Sequence, residues 1–203
     1  MWLDIEQNTE EWFSVRLGKV TGSAVSYIMA NYGKAFGNPA KKYADNIAVE
    51  IVTGERVSDQ YYSPNFDRGH EEEPLARAMY ERKYFVDVTN GGFFDNGETG
   101  CSPDGIVGEG MIEIKSAQPN IHLDRMRRRS FESAHRWQLL FNLKESGLEW
   151  IDFVSYCSIF PEKTRLFDCR IYAEDCNKEF SMIDKRLALF KELVAENKRL
   201  ING

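Results

Sequence analysis

Two carboxylates and a lysine stand close together in this sequence, in a pattern that could hold a metal ion beside a phosphate. Asp104 is followed nine residues later by the triplet Glu113-Ile114-Lys115. If residues 111–115 form a strand, its period of two places Glu113 and Lys115 on one face and Ile114 on the other. Carboxylates from neighbouring strands can hold a hard divalent cation. A lysine beside them can orient an attacking water and help to deprotonate it, so the set could hydrolyse a phosphodiester.

The same pattern has a structural alternative. The spacing Glu-x-Lys occurs three times in the chain, beginning at Glu81, Glu113 and Glu196. The first and last fall in stretches with helical periodicity, where residues two apart point in different directions. The Pro-Asp-Gly stretch at 103–105 could be a simple turn, because these residue types favour one. The middle Glu-x-Lys has the apolar alternation of a strand, and this context favours the catalytic interpretation.

Two further segments accompany this pattern, and the four segments in order resemble a known family. Residues 16–23 read R-L-G-K-V-T-G-S and residues 68–77 read R-G-H-E-E-E-P-L-A-R, ahead of S-P-D-G at 102–105 and E-I-K at 113–115. The set R-L-G-x-x-T-x-S, G-x-x-x-E-x-x-A-R, S-P-D-G and E-x-K resembles the phage lambda exonuclease, or YqaJ-type viral recombinase, family over about residues 10–142. The resemblance implies an α/β (α+β) fold with a PD-(D/E)XK nuclease core, a central mixed β-sheet flanked by helices.

The resemblance also implies catalytic roles for individual residues. Glu73 matches an acidic residue on the helix before the sheet, Asp104 a metal-bridging aspartate and Glu113 a second metal ligand. The backbone carbonyl of Ile114 would complete the metal shell, Glu73 could act through water, and Lys115 would be the catalytic lysine. Two Mg²⁺ ions, or Mn²⁺ in their place, would stabilise the attacking and leaving oxygens.

Three more residues match positions of the family outside this carboxylate cluster. Gln138 matches a polar residue that positions water or a carboxylate, with a solvated helix glutamine as its alternative. Arg16 and Ser23 match a pocket for the 5′-phosphate of the digested strand. A guanidinium forks onto phosphate oxygens, and a hydroxyl with free N–H groups at a helix start completes an anion site. The alternatives are a surface helix arginine for Arg16 and a helix N-cap for Ser23.

The activity implied by the resemblance is 5′→3′ digestion of one strand of linear double-stranded DNA. It would release 5′-mononucleotides and leave a 3′ single-stranded tail for a single-strand annealing protein in phage-type recombination. The family also implies a homotrimer that encircles DNA, in the cytoplasm of a bacterial host and encoded by a phage or prophage. Two alternatives stay open at this point. One is a PD-(D/E)XK endonuclease without end recognition, and the other is a non-catalytic DNA-binding module on the same fold.

Composition and charge set broad limits on the class of protein. With 203 residues, 42% of them hydrophobic and 29% charged, the chain is expected to be a single globular exonuclease domain over 1–203. The sequence has no apolar run long enough to span a membrane and no signal-peptide pattern at its start, so we expect neither insertion nor secretion. The net charge of −6 argues against a passive nucleic-acid coat, although a carboxylate site neutralised by cations would also look acidic. The four cysteines contain no C-x-x-C pair, which argues against structural zinc and fits reduced thiols in a cytoplasm.

Apolar periodicity and turn residues predict the elements that would position the candidate residues. We expect helices over 8–18, 21–29, 39–54, 70–83, 132–145 and 174–200. We expect strands over 84–88, 92–94, 104–107, 111–115, 150–157 and 165–172. Pro74 must start or kink the fourth of these helices, which puts the placement of Glu73 in question.

Two clusters of basic residues are candidate DNA contacts. One lies at Lys34, Lys41 and Lys42, and the other at Arg125–Arg129, where four arginines fall within five residues. Such residues can follow a phosphate backbone, but a solvated face is an equal alternative for both clusters.

Overall fold

The computed structural model of the chain describes residues 1–57 and 64–203 and contains two four-stranded sheets with helices packed around them. The helices are α1 (Glu10–Arg16), α2 (Val25–Met29), α3 (Asn38–Thr53), α4 (Pro64–Tyr84), α5 (Pro119–Arg128), α6 (Ser133–Ser146) and α7 (Asn177–Asn202). The strands are β1 (Trp2–Leu3), β2 (Val20–Thr21), β3 (Phe93–Asp95), β4 (Thr99–Cys101), β5 (Gly105–Val107), β6 (Gly110–Ser116), β7 (Trp150–Tyr156) and β8 (Leu166–Tyr172). A short 3₁₀ turn at Gly22–Ala24 precedes α2.

The larger sheet is mixed and has the order β5-β6-β7-β8. β6 is antiparallel to β5 and parallel to β7, and β7 is antiparallel to β8. Because parallel strands need a crossover connection, the chain between β6 and β7 forms α5 and α6. In the parallel register, Glu113 is opposite Phe153 and Lys115 is opposite Ser155. This sheet is the central mixed sheet that the sequence predicts.

Alternation along β6 explains why helices cover both faces of this sheet. Ile112 and Ile114 are buried in one apolar cluster with Ala76 and Tyr80 of α4. Met111 is buried in another cluster, which includes residues of α6. Since side chains alternate along a strand, Glu113 and Lys115 lie on the face of Met111, toward α6. The apolar residues of β6 therefore fix which way its polar residues point.

The smaller sheet has the order β1-β3-β4-β2 and consists of strands of two or three residues. It packs through Val20 and Cys101 into a core shared with α2, α3, α6 and α7. The chain leaves β4 and enters β5 through residues 102–104, and Thr89 and Ile106 form an isolated bridge close to this junction. The Ser-Pro-Asp segment therefore joins the two sheets.

The predicted strand over 84–88 is wrong. α4 continues to Tyr84, and Phe85 then adopts a left-handed conformation with φ of 54°. Val86 and Val88 instead pack as single side chains against the cluster around Ile112 and Ile114. Aromatic and β-branched residues gave this segment the composition of a strand, but the left-handed residue ends the helix and redirects the chain.

The bounds of α4 and the presence of α5 differ from expectation. Pro74 does not start α4, which begins at Pro64 and runs through it. α5, which the sequence analysis did not predict, begins with Pro119 in the first turn and ends at Arg129 in a left-handed conformation. Within residues 1–57 and 64–203, no helix combines the length and the apolar character that crossing a membrane requires.

Candidate active site

Asp104 is held against the middle of β6 by backbone pairing. Its amide N–H donates to the Ile112 carbonyl at 3.1 Å, and its carboxylate Oδ2 accepts the N–H of Ile114 at 2.6 Å. Arg77 of α4 donates to the Asp104 carbonyl oxygen. The Pro-Asp-Gly stretch is not a turn, because Asp104 forms a bend and Gly105 already begins β5, and this bend brings the carboxylate to the strand that carries Glu113.

Glu113 is buried, with 2% of its surface exposed, and donors surround its carboxylate. Oε1 accepts from Lys115 Nζ and from Gln138 Nε2, each at 2.6 Å. Oε2 accepts from Asn142 Nδ2 at 3.1 Å. Gln138 and Asn142 lie four residues apart on α6 and so share one face of the helix. The structure thus brings together Asp104, Glu113, Lys115 and Gln138, and it adds Asn142, which the sequence analysis missed.

The electrostatics of this cluster are those of crowded negative charge. Burial raises the pKa of Asp104 well above its usual range, and the Glu113 carboxylate adds to this, while Lys115 partly offsets it. Burial alone would lower the pKa of Lys115, but the charges of Glu113 and Asp104 raise it overall. Lys115 is therefore protonated at neutral pH. A divalent cation at the carboxylates would remove the repulsion between them.

The donor set fits a hard cation such as Mg²⁺. The carboxylates of Asp104 and Glu113, together with the Ile114 carbonyl, are oxygen ligands of the kind that Mg²⁺ and Mn²⁺ bind. In the part of the chain that the structure describes, no three side chains of the His, Cys, Asp and Glu types are placed to hold a metal ion. The fit therefore depends on two carboxylates and one backbone carbonyl.

Glu73 lies at the edge of the cluster rather than inside it. Its side chain is 36% exposed and pairs with Arg77 at 3.5 Å. It is near enough for its charge to raise the pKa of Asp104. The neighbouring Glu72 is buried and accepts hydrogen bonds from the hydroxyls of Ser116 and Ser158.

Arg16 is tied to the segment that carries Asp104. Its Nη1 donates to Ser102 Oγ at 3.3 Å, and its Cζ lies 3.8 Å from the centre of the Trp12 ring. Trp12 donates to the same hydroxyl at 2.8 Å. Burial lowers the pKa of Arg16 to about 10, which leaves the guanidinium charged at neutral pH. Among the described residues, its contacts are with a hydroxyl and a ring rather than with a carboxylate, as suits a site for an anion.

Ser23 is exposed in the 3₁₀ turn, with its hydroxyl 3.5 Å from that of Thr21. It does not cap α2, because the N-cap of that helix is Ala24. The structure therefore links Arg16 directly to Ser102 and not to Ser23. Ser102 is the first residue of the S-P-D-G motif, and this position could have identified it from the sequence as a candidate partner of Arg16.

Arg125 is the clearest correction among the basic residues. The expectation that it could follow DNA is wrong, because it is 5% exposed and donates to Glu132 at 3.0 Å and to Ser155 at 2.9 Å. Ser155 in turn contacts Nδ1 of the buried His122 at 2.8 Å. Arg127 and Arg128 are exposed on the same helix. Only part of the basic run is therefore available to a ligand.

Known proteins resemble this chain in sequence and in fold. The family model of the YqaJ-like viral recombinase domain matches residues 11–149. Among solved structures, an alkaline exonuclease (LHK-Exo) from Laribacter hongkongensis is 32% identical, with a TM-score of 0.83 over 96% of this chain and 97% of that one. LHK-Exo in complex with dAMP is 30% identical, with a TM-score of 0.80 over 96% and 98% of the two chains.

A phage-related exonuclease from Haemophilus somnus 129PT shares the fold at 15% identity, with a TM-score of 0.69 over 91% of this chain and 95% of that one. No curated protein matches the chain. The family model covers well over half of the 203 residues, and the LHK-Exo structures cover nearly all of them. The resemblance drawn from the four motifs is thus confirmed, and the chain belongs to the YqaJ-like viral recombinase domain family.

Proposed function

We propose that this chain is a metal-dependent exonuclease that digests one strand of linear double-stranded DNA in the 5′→3′ direction. Exonuclease activity on DNA is supported by the family and by the similarity to the two LHK-Exo structures. The observation that carries the proposal concerns the two ends of the segment 102–104. At one end, Asp104 lies beside Glu113 and Lys115. At the other end, Ser102 contacts Arg16. Hydrolysis and end recognition would then take place side by side.

The metal would be Mg²⁺, with Mn²⁺ as a substitute, and two ions would serve each site. Asp104, Glu113 and the Ile114 carbonyl would hold them, and Glu73 would act through water from the edge of α4. When bound, the ions would supply a Lewis acid and positive charge to the reacting phosphate. The raised pKa of Asp104 supports this assignment. Burial and the charge of Glu113 disfavour the bare carboxylate, so the site favours a bound positive charge.

Lys115 would supply positive charge to the phosphate as it becomes more negative. The lysine is protonated and held at 2.6 Å from Glu113, so its ammonium group stays on the face of β6 that carries the carboxylates. Preorganised charge of this kind is typically the largest contribution that a site makes to catalysis. Gln138, which donates to the same Glu113 oxygen, would hold the carboxylate in place.

Arg16 and Ser102 would bind the terminal 5′-phosphate, with Ser23 at the edge of the same pocket. A terminal phosphate is dianionic near neutral pH, and a buried guanidinium binds it better than an internal diester. Trp12 holds both Arg16 and Ser102, so it would orient the pocket. Ser102 precedes Asp104 by two residues, and this proximity would place the first phosphodiester at the carboxylates and favour the release of 5′-mononucleotides.

Digestion of matched linear and covalently closed duplexes in Mg²⁺ tests the proposal against its alternatives. We expect the linear duplex to be degraded and the closed circle to stay intact. Cutting of the closed circle would instead indicate an endonuclease. Binding without cleavage of either substrate, in Mg²⁺ and in Mn²⁺, would indicate a non-catalytic DNA-binding module.

The proposal extends to the assembly and its partner. A single domain over 1–203 would form a homotrimer around the duplex, and the 3′ tail that it leaves would pass to a single-strand annealing protein. Both statements follow from the family resemblance. A monomeric mass in light scattering at working concentration would remove the ring.

A further inference from the structure

Asn142 connects the candidate metal ligand Glu113 to the loop that carries Ser23. Its side chain is 1% exposed, and its Nδ2 donates to Glu113 Oε2 at 3.1 Å. Its own backbone carbonyl accepts from Cys101 Sγ at 3.5 Å, directly before Ser102. One residue of α6 thus contacts both the carboxylate and the strand that leads into the phosphate pocket.

The other end of the Asn142 amide is a buried acceptor without a hydrogen bond. Among the described residues, Asn142 Oδ1 is the buried side-chain atom that lacks a partner. Native proteins rarely leave such an atom unsatisfied without a reason. Turning the amide over would not help, because its oxygen would then face the Glu113 carboxylate. The hydrogen bond to Glu113 therefore fixes the orientation of the amide, and in this orientation Oδ1 has no hydrogen-bond donor in the described part of the chain.

Gly22 is the residue that Asn142 Oδ1 faces. A Cβ added at Gly22 would overlap this oxygen. Gly22 is itself buried and begins the 3₁₀ turn that carries Ser23. The amide therefore lies between the backbone of this turn and the carboxylate of Glu113, with no room for a Cβ at Gly22.

We propose that Asn142 is a positioning residue that holds Glu113 for metal binding and sets its place relative to the Gly22–Ala24 turn. This inference rests on the proposed function and deepens it. Asn142 touches neither metal nor DNA in this account, and it acts through Glu113. A disturbance on the phosphate side, at Gly22, would then reach the metal site through the amide.

Calorimetry of Mn²⁺ binding to the DNA-free protein tests this connection. The wild-type protein is compared with Gly22→Ala, Asn142→Ala and the double variant. The new methyl group of Gly22→Ala should push the amide off Glu113 and weaken Mn²⁺ binding about tenfold, as losses of groups that orient metal ligands do. Asn142→Ala should weaken it by a similar factor. In the double variant, Gly22→Ala should cause no further loss, because the atom that it strikes is gone.

Gly37→Ala is the matched control. A Cβ at Gly37 would meet its nearest neighbour, Asn31 Nδ2, at an ordinary 3.6 Å. We expect it to leave Mn²⁺ binding unchanged. Asn142→Leu keeps the branched shape and the number of side-chain heavy atoms and removes the amide, so it should weaken Mn²⁺ binding and lower kcat without raising the KM for DNA. This second variant keeps the test decisive if Gly22→Ala does not fold.

Two outcomes would overturn the inference while leaving the proposed function in place. One is Mn²⁺ binding that Gly22→Ala and Asn142→Leu leave at the wild-type level. The other is losses for Gly22→Ala and Asn142→Ala that simply multiply in the double variant, since independent sites behave in this way. A wild-type protein that neither binds Mn²⁺ nor digests linear DNA would instead contradict the proposed function itself, and the inference with it.

Discussion

At the scale of single residues, Lys115 gives the sharpest prediction. Lys115→Ala should lower the rate of digestion by about a hundredfold or more, because it removes a preorganised charge that acts on the reacting phosphate. DNA binding should be retained, since Arg16 and the carboxylates are untouched. Single-turnover digestion together with a binding titration measures both effects. A variant with more than about a tenth of the wild-type rate would contradict the role of Lys115.

Asp104 should make the metal-free protein less stable as the pH rises. Burial and Glu113 raise the pKa of Asp104 in the folded chain, so the folded state holds a proton that the unfolded state releases near pH ~4. The contribution of Asp104 to the free energy of unfolding therefore falls as the pH increases from that value toward the folded pKa. Asp104→Asn keeps an oxygen for the Ile114 N–H and removes the charge.

Thermal unfolding at neutral pH, with and without Mg²⁺, measures this effect. We expect Asp104→Asn to raise the midpoint of the metal-free protein, to abolish stabilisation by Mg²⁺ and to abolish digestion. An undiminished stabilisation by Mg²⁺ in the variant would show that Asp104 is not a metal ligand.

Arg16 should control the preference for the type of DNA end. Wild-type protein should digest a 5′-phosphorylated duplex faster than a 5′-hydroxyl duplex. Arg16→Ala should reduce the ratio of the two rates by about 10- to 150-fold, as expected for a charge-assisted bond of ~1.5–3 kcal/mol. If the variant keeps the wild-type ratio, the phosphate-pocket assignment fails and the catalytic residues are unaffected.

At the scale of elements, the sequence predicts the site strand well because its side chains alternate. Ile112 and Ile114 specify the face of β6 that packs on α4, and this leaves Glu113 on the opposite face toward α6. Gln138 was selected through the family resemblance, and in the structure it lies on α6 and donates to Glu113. Asn142 was not found, because a buried asparagine within a helix has no distinguishing sequence pattern. Its spacing of four residues from Gln138 is the clue that was available.

The elements that the sequence predicts poorly are those decided by tertiary contacts. Tyr84 and its neighbours have strand composition, yet Tyr84 ends α4 and donates its hydroxyl to Asp168 of β8. α5 is not predicted from apolar periodicity because its buried residues are His122 and Arg125, while Ile121 and Leu123 are exposed. Arg125 looked like a surface arginine, and only its contacts across the sheet show that it is buried.

Arg125 and Arg128 form a matched pair for testing this correction. Arg125→Ala should lower the free energy of unfolding by about 1.5–3 kcal/mol, because Glu132 and Ser155 lose a charged donor. Arg128→Ala should change it by less than about 0.5 kcal/mol, since Arg128 is exposed and pairs with Asp124 at the surface. Urea unfolding compares the two variants. Equal and small changes in the free energy of unfolding would contradict the structural role of Arg125 and make it a candidate DNA contact again.

At the scale of the whole molecule, the two sheets divide the work. In the proposed function, Arg16 of α1 would bind the terminal phosphate, and Glu113 and Lys115 of the larger sheet would act on the reacting phosphodiester. Ser102 and Asp104 stand in the segment that joins the two sheets. A DNA strand whose 5′ end binds at Arg16 would present its first phosphodiester to the carboxylates. The polarity of digestion would follow from this arrangement, because the pocket suits a terminal phosphate.

A duplex with different labels at its two termini tests this account most directly. With 5′-phosphate ends and Mg²⁺, the label on the 5′-terminal nucleotide should appear first, as a 5′-mononucleotide. A label on the 3′-terminal nucleotide of the same strand should appear last, and Lys115→Ala should release neither label in the time that the wild-type protein needs to release the 5′ label. Early release of the 3′ label, or release of the 5′ label within longer oligonucleotides, would contradict the proposed 5′→3′ exonuclease.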